Sequence, residues 1–217
     1  MPECLELFPL KVYKDVYSKT DDLKNNLFTK LKEVFDKSQQ NNNVFMQDGT
    51  LCSYDSNSQL HTQFPNETKD IVEFVEQAAI EYWKQCNYHE GLTPFVFQMW
   101  ANTTPRGGYI DPHLHGNMPF TAVVYVDASP EQGNIILDNP LDMVLMTQPI
   151  SPSIKYPLGQ EISVNTGDLL MFPGYLKHRV KPNTTHKDRL ILGFNIGCRG
   201  NYWASQWATV NPSILSE

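Results

Sequence analysis

The stretch that decides the fold covers residues 107–127 and reads GGYIDPHLHGNMPFTAVVYVD. A glycine pair opens it, two histidines two positions apart follow, and the β-branched and aromatic run Phe120–Asp127 closes it. Runs of this composition favour strands, and in an extended strand residues i and i+2 point to the same face. His113 and His115 can therefore converge on one point, as two ligands of a metal ion would.

Short runs of similar composition recur from Pro94 onward, separated by Pro, Gly, Asn and Asp. Several short strands separated by turns predict a β-sandwich or barrel. The stretch Asp138–Gln160 carries four prolines, and we interpret it as a long irregular insertion that serves as a lid over the site. The further predicted strands are Phe95–Ala101, Asn134–Leu137, Glu161–Val164, Asp168–Phe172 and Arg189–Ile196.

Two segments that precede the strands have helical periodicity. Thr20 to about Lys37 repeats apolar residues every three or four positions, and Asn66 to about Cys86 has a continuous apolar face, with Asn66 as its predicted N-cap. Such helices are expected to cover one outer face of a sheet. The prediction is one domain, 1–217, divided into helical support (1–93), a β core (94–198) and a C-terminal tail (199–217).

The charge and the cysteines exclude several classes of function. The formal net charge is −7 and the isoelectric point is about 5.3, which disfavours duplex nucleic acid and anionic membranes as partners. Four scattered cysteines without a CxxC pair argue against a zinc ribbon or a disulfide framework and indicate reduced thiols in the cytoplasm. No signal peptide or membrane-spanning stretch is predicted from the sequence.

A third histidine completes the candidate metal site. His178 lies in FPGYLKHRVKP (172–182), at the predicted end of a later strand, whereas His61, His89 and His186 lie in polar stretches and are interpreted as surface or hydrogen-bonded residues. A facial trio of ligands is typical of iron(II) oxygenases, which leave other positions open. Zinc, nickel or manganese in a cupin-like barrel fits the same histidines, so these residues alone do not choose iron.

The surrounding motifs resemble a known family. GGYIDPHLH (107–115), FTAVVYVD (120–127), TGDLLMFPGYLKHRVKP (166–182) and DRLILGFNI (188–196) are similar to successive segments of prolyl 4-hydroxylase-like oxygenases. The order of landmarks also resembles a bacterial and phage set of 2-oxoglutarate/iron(II) oxygenases. Over residues 95–197 these landmarks are Trp100, Asn102, Gly107, Gly108, His113, His115, Tyr125, Val126, Phe194 and Asn195.

The resemblance implies a mainly β fold, a double-stranded β-helix (jelly roll, cupin-like) with N-terminal helices on one sheet. It implies an enzyme that uses Fe(II), 2-oxoglutarate and O₂ to hydroxylate a substrate, releasing succinate and CO₂. It assigns His113 and His178 as metal ligands, Arg189 as the partner of the C5 carboxylate of 2-oxoglutarate, and Tyr125 as a hydrogen-bond donor to that carboxylate. Guanidinium suits this role because it pairs a carboxylate through two hydrogen bonds.

The periodicity of the last predicted strand supports this assignment independently. Arg189, Ile191, Gly193 and Asn195 share one face, which is small and polar, and Leu190, Leu192, Phe194 and Ile196 share the other, which is bulky. The first face suits a ligand-filled barrel and the second suits packing under helices.

The sequence departs from the family at the usual carboxylate ligand, because His115 stands where an aspartate is expected. Three arrangements are open: His115 ligates directly, Asp111 supplies the carboxylate across the stiff Pro112, or His115 is the first histidine with Asn117 in the carboxylate position. We favour direct ligation, because i, i+2 pairing on a strand is geometrically simple. Three neutral imidazoles would leave the full charge of the ion in place.

The sequence does not identify the substrate, which we expect to be a small molecule or a peptide. Candidate pocket residues are Trp100, Asn102, Asn117, Asn195 and Gln98. The tail NYWASQW (201–207) is interpreted as a C-terminal clasp or as a contact of a homodimer. Two alternative functions stay open: a cupin-type metal enzyme that does not use 2-oxoglutarate, and a non-catalytic module that binds a small ligand.

Overall fold

The computed structural model describes residues 10–38, 44–55, 57–141 and 158–200. Within them, eleven strands and four α-helices occur. The strands are β1 (Tyr13–Val16), β2 (Met46–Gln47), β3 (Leu51–Cys52), β4 (Leu92–Thr104), β5 (Tyr109–His113), β6 (Phe120–Asp127), β7 (Ile135–Asp138), β8 (Gly159–Ile162), β9 (Asp168–Pro173), β10 (His178–Val180) and β11 (Arg189–Gly200). The helices are α1 (Thr20–Asp22), α2 (Lys32–Ser38), α3 (Leu60–Gln63) and α4 (Pro65–Gln85).

The strands form two antiparallel sheets. One has six strands in the order β1-β9-β6-β11-β4-β3, and the other has five in the order β2-β5-β10-β7-β8. Neighbouring strands are mostly far apart in sequence, as in a jelly roll, where the chain passes back and forth between two facing sheets. The predicted double-stranded β-helix is confirmed.

The helices cover the outer face of the six-stranded sheet, as predicted. Residues of α4 such as Ile71, Val75 and Tyr82 are buried in one apolar cluster with Phe120 of β6 and Phe194 of β11. The Tyr82 and Phe120 rings have centroids 4.4 Å apart. This apolar layer anchors β6 and β11, whose opposite faces line the functional site.

Both helical predictions need a correction. The helix α4 begins at Pro65 and not after Asn66, because proline suits the first helical position, and Phe64 precedes it without a side-chain cap. The segment predicted as one helix from Thr20 is broken into α1, a π-helical turn (Leu23–Leu27), a 3₁₀ turn (Phe28–Lys30) and α2. These irregular turns still keep Leu23, Leu27 and Leu31 buried.

All six predicted strands are present, β6 with the predicted ends and the other five with at least one end shifted, and five more occur within the described residues. The region 1–93, predicted as helical support, also supplies β1, β2 and β3, which pair with β9, β5 and β4. The ends of the predicted insertion 138–160 belong to β7 and β8, where Asp138 pairs with Gly159. Residues 142–157 and the tail 201–217 lie outside the described residues, so the lid, clasp and dimer interpretations stay predictions.

The helices of the described residues include none that is both long and apolar enough to cross a lipid bilayer.

Candidate metal centre and cavity

A cavity of about 280 Å³ lies between the two sheets. It is lined by nine of the residues predicted from the sequence, together with apolar side chains and a few residues of the segment that precedes α3. The predicted residues that line it are Gln98, Trp100, Asn102, His113, His115, Tyr125, His178, Arg189 and Asn195. The structure thus brings together groups from five different strands or strand ends.

The strand β11 supplies one wall of the cavity, with the predicted alternation. Arg189, Ile191, Gly193 and Asn195 line the cavity, and Leu190, Leu192, Phe194 and Ile196 belong to the apolar cluster under the helices. The neighbouring strand β4 is in register, because Asn195 pairs with Gln98, Gly193 with Trp100 and Ile191 with Asn102. The inner face is therefore a continuous patch across two strands.

A bulge turns His113 into the cavity. His178 of β10 pairs with His113 of β5, whereas Val180 pairs with Ile110, so two residues of β5 lie opposite one residue of β10. A bulge of this kind redirects the side chains that follow it, and Ile110 and His113 both line the cavity. Pro112 is tolerated there because proline is confined to edges and bulges of sheets.

The three histidines form one cluster. Their ligand atoms all lie within 4.8 Å of one another, and the His113 and His178 ring centroids are 4.3 Å apart. The His115 ring is 5.4 Å from that of His113 and 5.3 Å from that of His178. In the part of the chain that the structure describes, this is the one group of three or more such side chains close enough to share an ion.

The main chain fixes two of the rings. The Nδ1 atom of His113 lies 2.8 Å from the carbonyl oxygen of Asp111, and Nδ1 of His178 lies 3.0 Å from that of Leu176. A carbonyl can only accept, so each Nδ1 carries the proton and each Nε2 keeps its lone pair. Both residues therefore present the neutral tautomer that a metal ligand requires.

Burial keeps all three imidazoles neutral. It lowers the pKa of His113, lowers the pKa of His178 well below the ordinary value, and lowers the pKa of His115 to about 4. The mutual repulsion of the rings acts in the same direction on His115 and His178. At neutral pH the cluster therefore offers three lone pairs without first losing protons.

His115 lies beyond the end of β5 and is placed by its neighbours. Its amide N–H donates to the carbonyl oxygen of Gly174 at 2.8 Å, and its ring stacks on Trp100 with centroids 5.5 Å apart. Gly174 must lack a side chain, because a β-carbon there would lie 2.8 Å from the His115 carbonyl oxygen. At Gly193 a β-carbon would lie 2.3 Å from Cε2 of Trp100, so only glycine at this position leaves room for the indole ring.

Arg189 is a buried cation without an acidic partner among the described residues. It is 1% exposed, and it donates only to neutral groups: the carbonyl oxygens of Gln132 (3.1 Å) and Gly133 (2.7 Å) and Oγ1 of Thr104 (3.1 Å). Its Nε is buried without a hydrogen-bond partner within the described residues. Burial lowers the pKa of Arg189 to about 10, and the group remains charged at neutral pH.

Tyr125 shares the Arg189 end of the cavity. It lies on β6 opposite Ile191, is 2% exposed, and its pKa is raised by burial, an effect that the nearby Arg189 charge opposes. Its hydroxyl therefore keeps its proton, which makes it available as a hydrogen-bond donor.

Three carboxamides form the polar part of the inner face. Nδ2 of Asn195 donates to Oε1 of Gln98 at 2.8 Å. The Oδ1 atoms of Asn102 and Asn195 are buried without a hydrogen-bond partner in the described part of the chain. Buried amide oxygens usually have a partner, so these two indicate a site that is completed by a ligand or by movement of a neighbouring group.

Two candidates are not where the sequence placed them. Asp111 does not line the cavity, because its carboxylate accepts a hydrogen bond from Nε2 of Gln47 at 2.8 Å. Asn117 is exposed and does not line the cavity; it occupies a turn with φ of 64°, a left-handed conformation that asparagine tolerates. The alternatives that used Asp111 or Asn117 as ligands are therefore not supported by their positions.

Sequence reasoning missed the residues that seat Arg189 and those at the mouth of the cavity. Gly133 adopts φ of 101°, and a β-carbon there would lie 2.1 Å from the carbonyl oxygen of Lys181 and 2.9 Å from Nη1 of Arg189. Glycine after Pro130–Gln132 is a recognisable turn signal. Tyr54 and Phe45, which line the mouth, carry no local motif that could have identified them.

The family comparison matches the segment that builds this site. Residues 98–195 match a protein family described as "Putative 2OG-Fe(II) oxygenase". The matched segment contains the three histidines, Arg189, Tyr125 and the three carboxamides, and it confirms the resemblance seen in the sequence. A search of the curated proteins finds no match to this chain.

Solved structures share the fold at low sequence identity. The non-heme alpha-ketoglutarate-dependent carbocyclase SnoK from nogalamycin biosynthesis has a TM-score of 0.59 and 11% identity, over 93% of this chain and 86% of that one. HygX from Streptomyces hygroscopicus, with nickel, 2-oxoglutarate and hygromycin B bound, has a TM-score of 0.53 and 14% identity, over 87% and 83%. A Pseudomonas putida prolyl-4-hydroxylase has a TM-score of 0.51 and 13% identity, over 86% and 92%.

Proposed function

We propose that this chain, whose residues 98–195 match a 2OG-Fe(II) oxygenase family, is an Fe(II)- and 2-oxoglutarate-dependent oxygenase. It hydroxylates its substrate with release of succinate and CO₂. The assignment of roles to individual residues rests on their positions in the cavity.

One observation carries the proposal: a buried arginine without an acidic partner among the described residues shares a cavity with a three-histidine cluster. A buried charge is costly unless it is paired, and the neutral acceptors around Arg189 leave Nε unused. A carboxylate pairs a guanidinium through two hydrogen bonds. Arg189 is therefore assigned to the C5 carboxylate of 2-oxoglutarate, with the Tyr125 hydroxyl as a second donor.

The histidine cluster fits an iron(II) ion. For metal–nitrogen bonds of about 2.1 Å, two ligand atoms of one ion are at most about 4.2 Å apart, so three atoms within 4.8 Å of one another need only small ring rotations to meet it. In His113 and His178, the hydrogen bond from Nδ1 to a main-chain carbonyl leaves the Nε2 lone pair available to the metal. His115 is assigned as the third ligand, in place of the usual carboxylate.

The charge of the cavity suits a dianion. Neutral imidazoles leave the double positive charge of the ion in place, and Arg189 adds another positive charge. The acidic residue that lines the cavity is Asp55, which is exposed at the mouth. A doubly negative co-substrate placed between the ion and Arg189 would balance most of this charge.

The chain itself positions and shields the reacting groups. The bound metal and co-substrate supply the activation of O₂, coupled to oxidation of 2-oxoglutarate to succinate and CO₂. The inner cavity has apolar walls, formed by Ile110, Val123, Ile135, Val180 and Ile191. Such walls exclude water and would strengthen the ion pair between Arg189 and the carboxylate of the co-substrate. Trp100 and the carboxamides face the same space and are assigned to the substrate side.

The substrate is proposed to be a small molecule or a peptide segment that enters between Phe45, Tyr54 and Leu114 at the mouth. The relative HygX, which has this fold, binds hygromycin B, a small molecule. Cytoplasmic localisation is proposed on the basis of the free thiols of Cys52, Cys86 and Cys198.

The test is an anaerobic titration of the metal-free protein with Fe(II) and then 2-oxoglutarate. We expect a visible charge-transfer band, and we expect Arg189→Ala to lose it at co-substrate concentrations that saturate the wild type. Arg106→Gln, on an exposed arginine that contacts His186, is the matched control and should keep the band. Iron binding without a band would favour a cupin-type enzyme with another co-substrate, and absence of metal binding would favour a ligand-binding module.

A further inference from the structure

His115 is held in a different way from the other two histidines. The rings of His113 and His178 each bond the carbonyl oxygen two residues earlier in the chain. Within the described residues, no main-chain carbonyl bonds the ring of His115. It rests flat against Trp100, which restrains the plane of the ring but does not decide which of its nitrogens carries the proton.

The side chain of Asn195 lines the same cavity as His115. It extends from the inner face of β11, is 3% exposed, and gives its Nδ2 to Oε1 of Gln98 at 2.8 Å. Its Oδ1 is then directed away from Gln98, and it is buried without a hydrogen-bond partner in the described part of the chain. Leaving such an oxygen unpaired in the protein interior is unfavourable, so a donor is expected to reach it.

The orientation of the Asn195 amide follows from its neighbours. Oε1 of Gln98 also accepts from the hydroxyl of Tyr54 at 3.2 Å, and Nε2 of Gln98 donates to Oγ of Ser58 at 3.3 Å. In this arrangement Gln98 presents an acceptor to Asn195, which must therefore offer its NH₂ group to Gln98. Its oxygen is the atom that remains for His115.

The proposed co-substrate cannot supply the missing donor. The 2-oxoglutarate dianion carries oxygen acceptors and no N–H or O–H group, so it cannot pair with Oδ1 of Asn195. The N–H of the His115 ring can. Burial and the neighbouring His113 lower the pKa of His115, and the Asn195 side chain acts against them, as an acceptor close to the ring does.

We propose that Asn195 is a positioning residue: its Oδ1 accepts a hydrogen bond from one ring nitrogen of His115 and so turns the other nitrogen towards the metal. This inference rests on the proposed function, because it assigns His115 as a metal ligand. It gives the unusual ligand a partner from β11 in the facing sheet, whereas the two usual ligands obtain theirs from their own chain segments. Outer partners of this kind orient a ligand and fix its tautomer.

The test compares three variants for metal affinity. Asn195→Leu keeps the size and removes the acceptor, Asn195→Asp keeps an acceptor oxygen, and Thr121→Val is the matched control. Thr121 pairs with Asn195 across β6 and β11, but its hydroxyl already donates to the carbonyl oxygen of Phe194 at 3.0 Å. Loss of an outer partner typically lowers metal affinity 10- to 100-fold.

We therefore expect Asn195→Leu to weaken Co(II) and Fe(II) binding about 10- to 100-fold. Asn195→Asp should bind closer to the wild type than to Asn195→Leu, and Thr121→Val should match the wild type. Equal affinity of Asn195→Leu and the wild type would overturn the assignment, as would an equal loss in Thr121→Val.

A second readout needs no metal. Nitrogen-15 NMR of the histidine rings in the metal-free protein should show one tautomer of His115 in the wild type and a mixture in Asn195→Leu. A mixture in both proteins would overturn the proposed hydrogen bond. If the wild type binds no metal, the proposed function fails. The tautomer measurement still decides whether Asn195 holds His115, so the two failures are distinguishable.

Discussion

The two faces of β11 differ in whether they bury polar atoms that lack hydrogen-bond partners within the described residues. The outer face carries Leu192, Phe194 and Ile196, which are fully buried against α4 and its neighbours. The inner face carries Arg189 and Asn195, each with a buried polar atom that has no hydrogen-bond partner within the described residues. Alternate residues of one strand therefore lie in two environments. On the outer face the side chains are fully packed, and on the inner face some buried polar atoms lack hydrogen-bond partners among the described residues.

This difference indicates which face stabilises the fold and which face serves the reaction. Burying an apolar side chain lowers the free energy of the folded state without needing another molecule. Burying an unpaired guanidinium or amide oxygen raises it, and the chain retains such groups where a ligand completes them. Changes on the outer face should therefore affect stability first, and changes around the inner cavity should affect ligands first.

The largest effect is expected at the metal cluster. His178→Ala removes a proposed metal ligand that clusters with His113 and His115, so metal binding and succinate production should be abolished while far-UV circular dichroism shows a retained fold. The fold should survive because the apolar cluster under the helices is untouched. Full turnover in this variant would contradict the assignment of the cluster. His89→Ala, outside the cavity, is the control and should keep full activity.

A change on the outer face of β11 should lower stability and leave metal affinity unchanged. Phe194→Ala removes a ring that is 0% exposed, and such truncations lower the free energy of unfolding by about 3–5 kcal/mol. At a temperature where this variant stays folded, its affinity for Fe(II) should equal that of the wild type. Urea denaturation and metal titration test the two statements separately. A large loss of affinity in the folded variant would show that the two faces are coupled.

Much of this division could be predicted from the sequence. The alternation in residues 189–196 predicted both faces of β11, because side chains alternate strictly in a regular strand. The same rule placed His113 and His115 together, although His115 lies beyond the strand end and His113 is turned inward by a bulge. The local pattern gave the right cluster because the register of β5 and β10 preserves the convergence.

The sequence could not predict features that depend on long-range register. The pairing of Asn195 with Gln98, and the contacts of Gln98 with Tyr54 and Ser58, join segments far apart in the chain. The sequence alone allows Asp111 as an alternative ligand, but in the structure Nε2 of Gln47 in β2 donates to its carboxylate. The short strands β2, β3 and β10 have too few residues to show a periodicity of their own.

The smallest effect expected from the comparison is on stability at acid pH. Burial lowers the pKa of His115 to about 4, below the value of about 6.5 expected in the unfolded chain. Because the unfolded state binds the proton more readily, the metal-free protein should lose stability as the pH falls from about 6.5 to about 4. The loss from His115 is on the order of 3 kcal/mol, since each pKa unit corresponds to about 1.4 kcal/mol.

Urea denaturation between pH 7 and pH 4 should therefore give a flatter pH profile for His115→Gln than for the wild type. Phe194→Ala should give a profile lowered by a constant amount, because neither phenylalanine nor alanine titrates. If the His115→Gln profile is as steep as that of the wild type, His115 is not the neutral, buried imidazole that the proposed metal site requires.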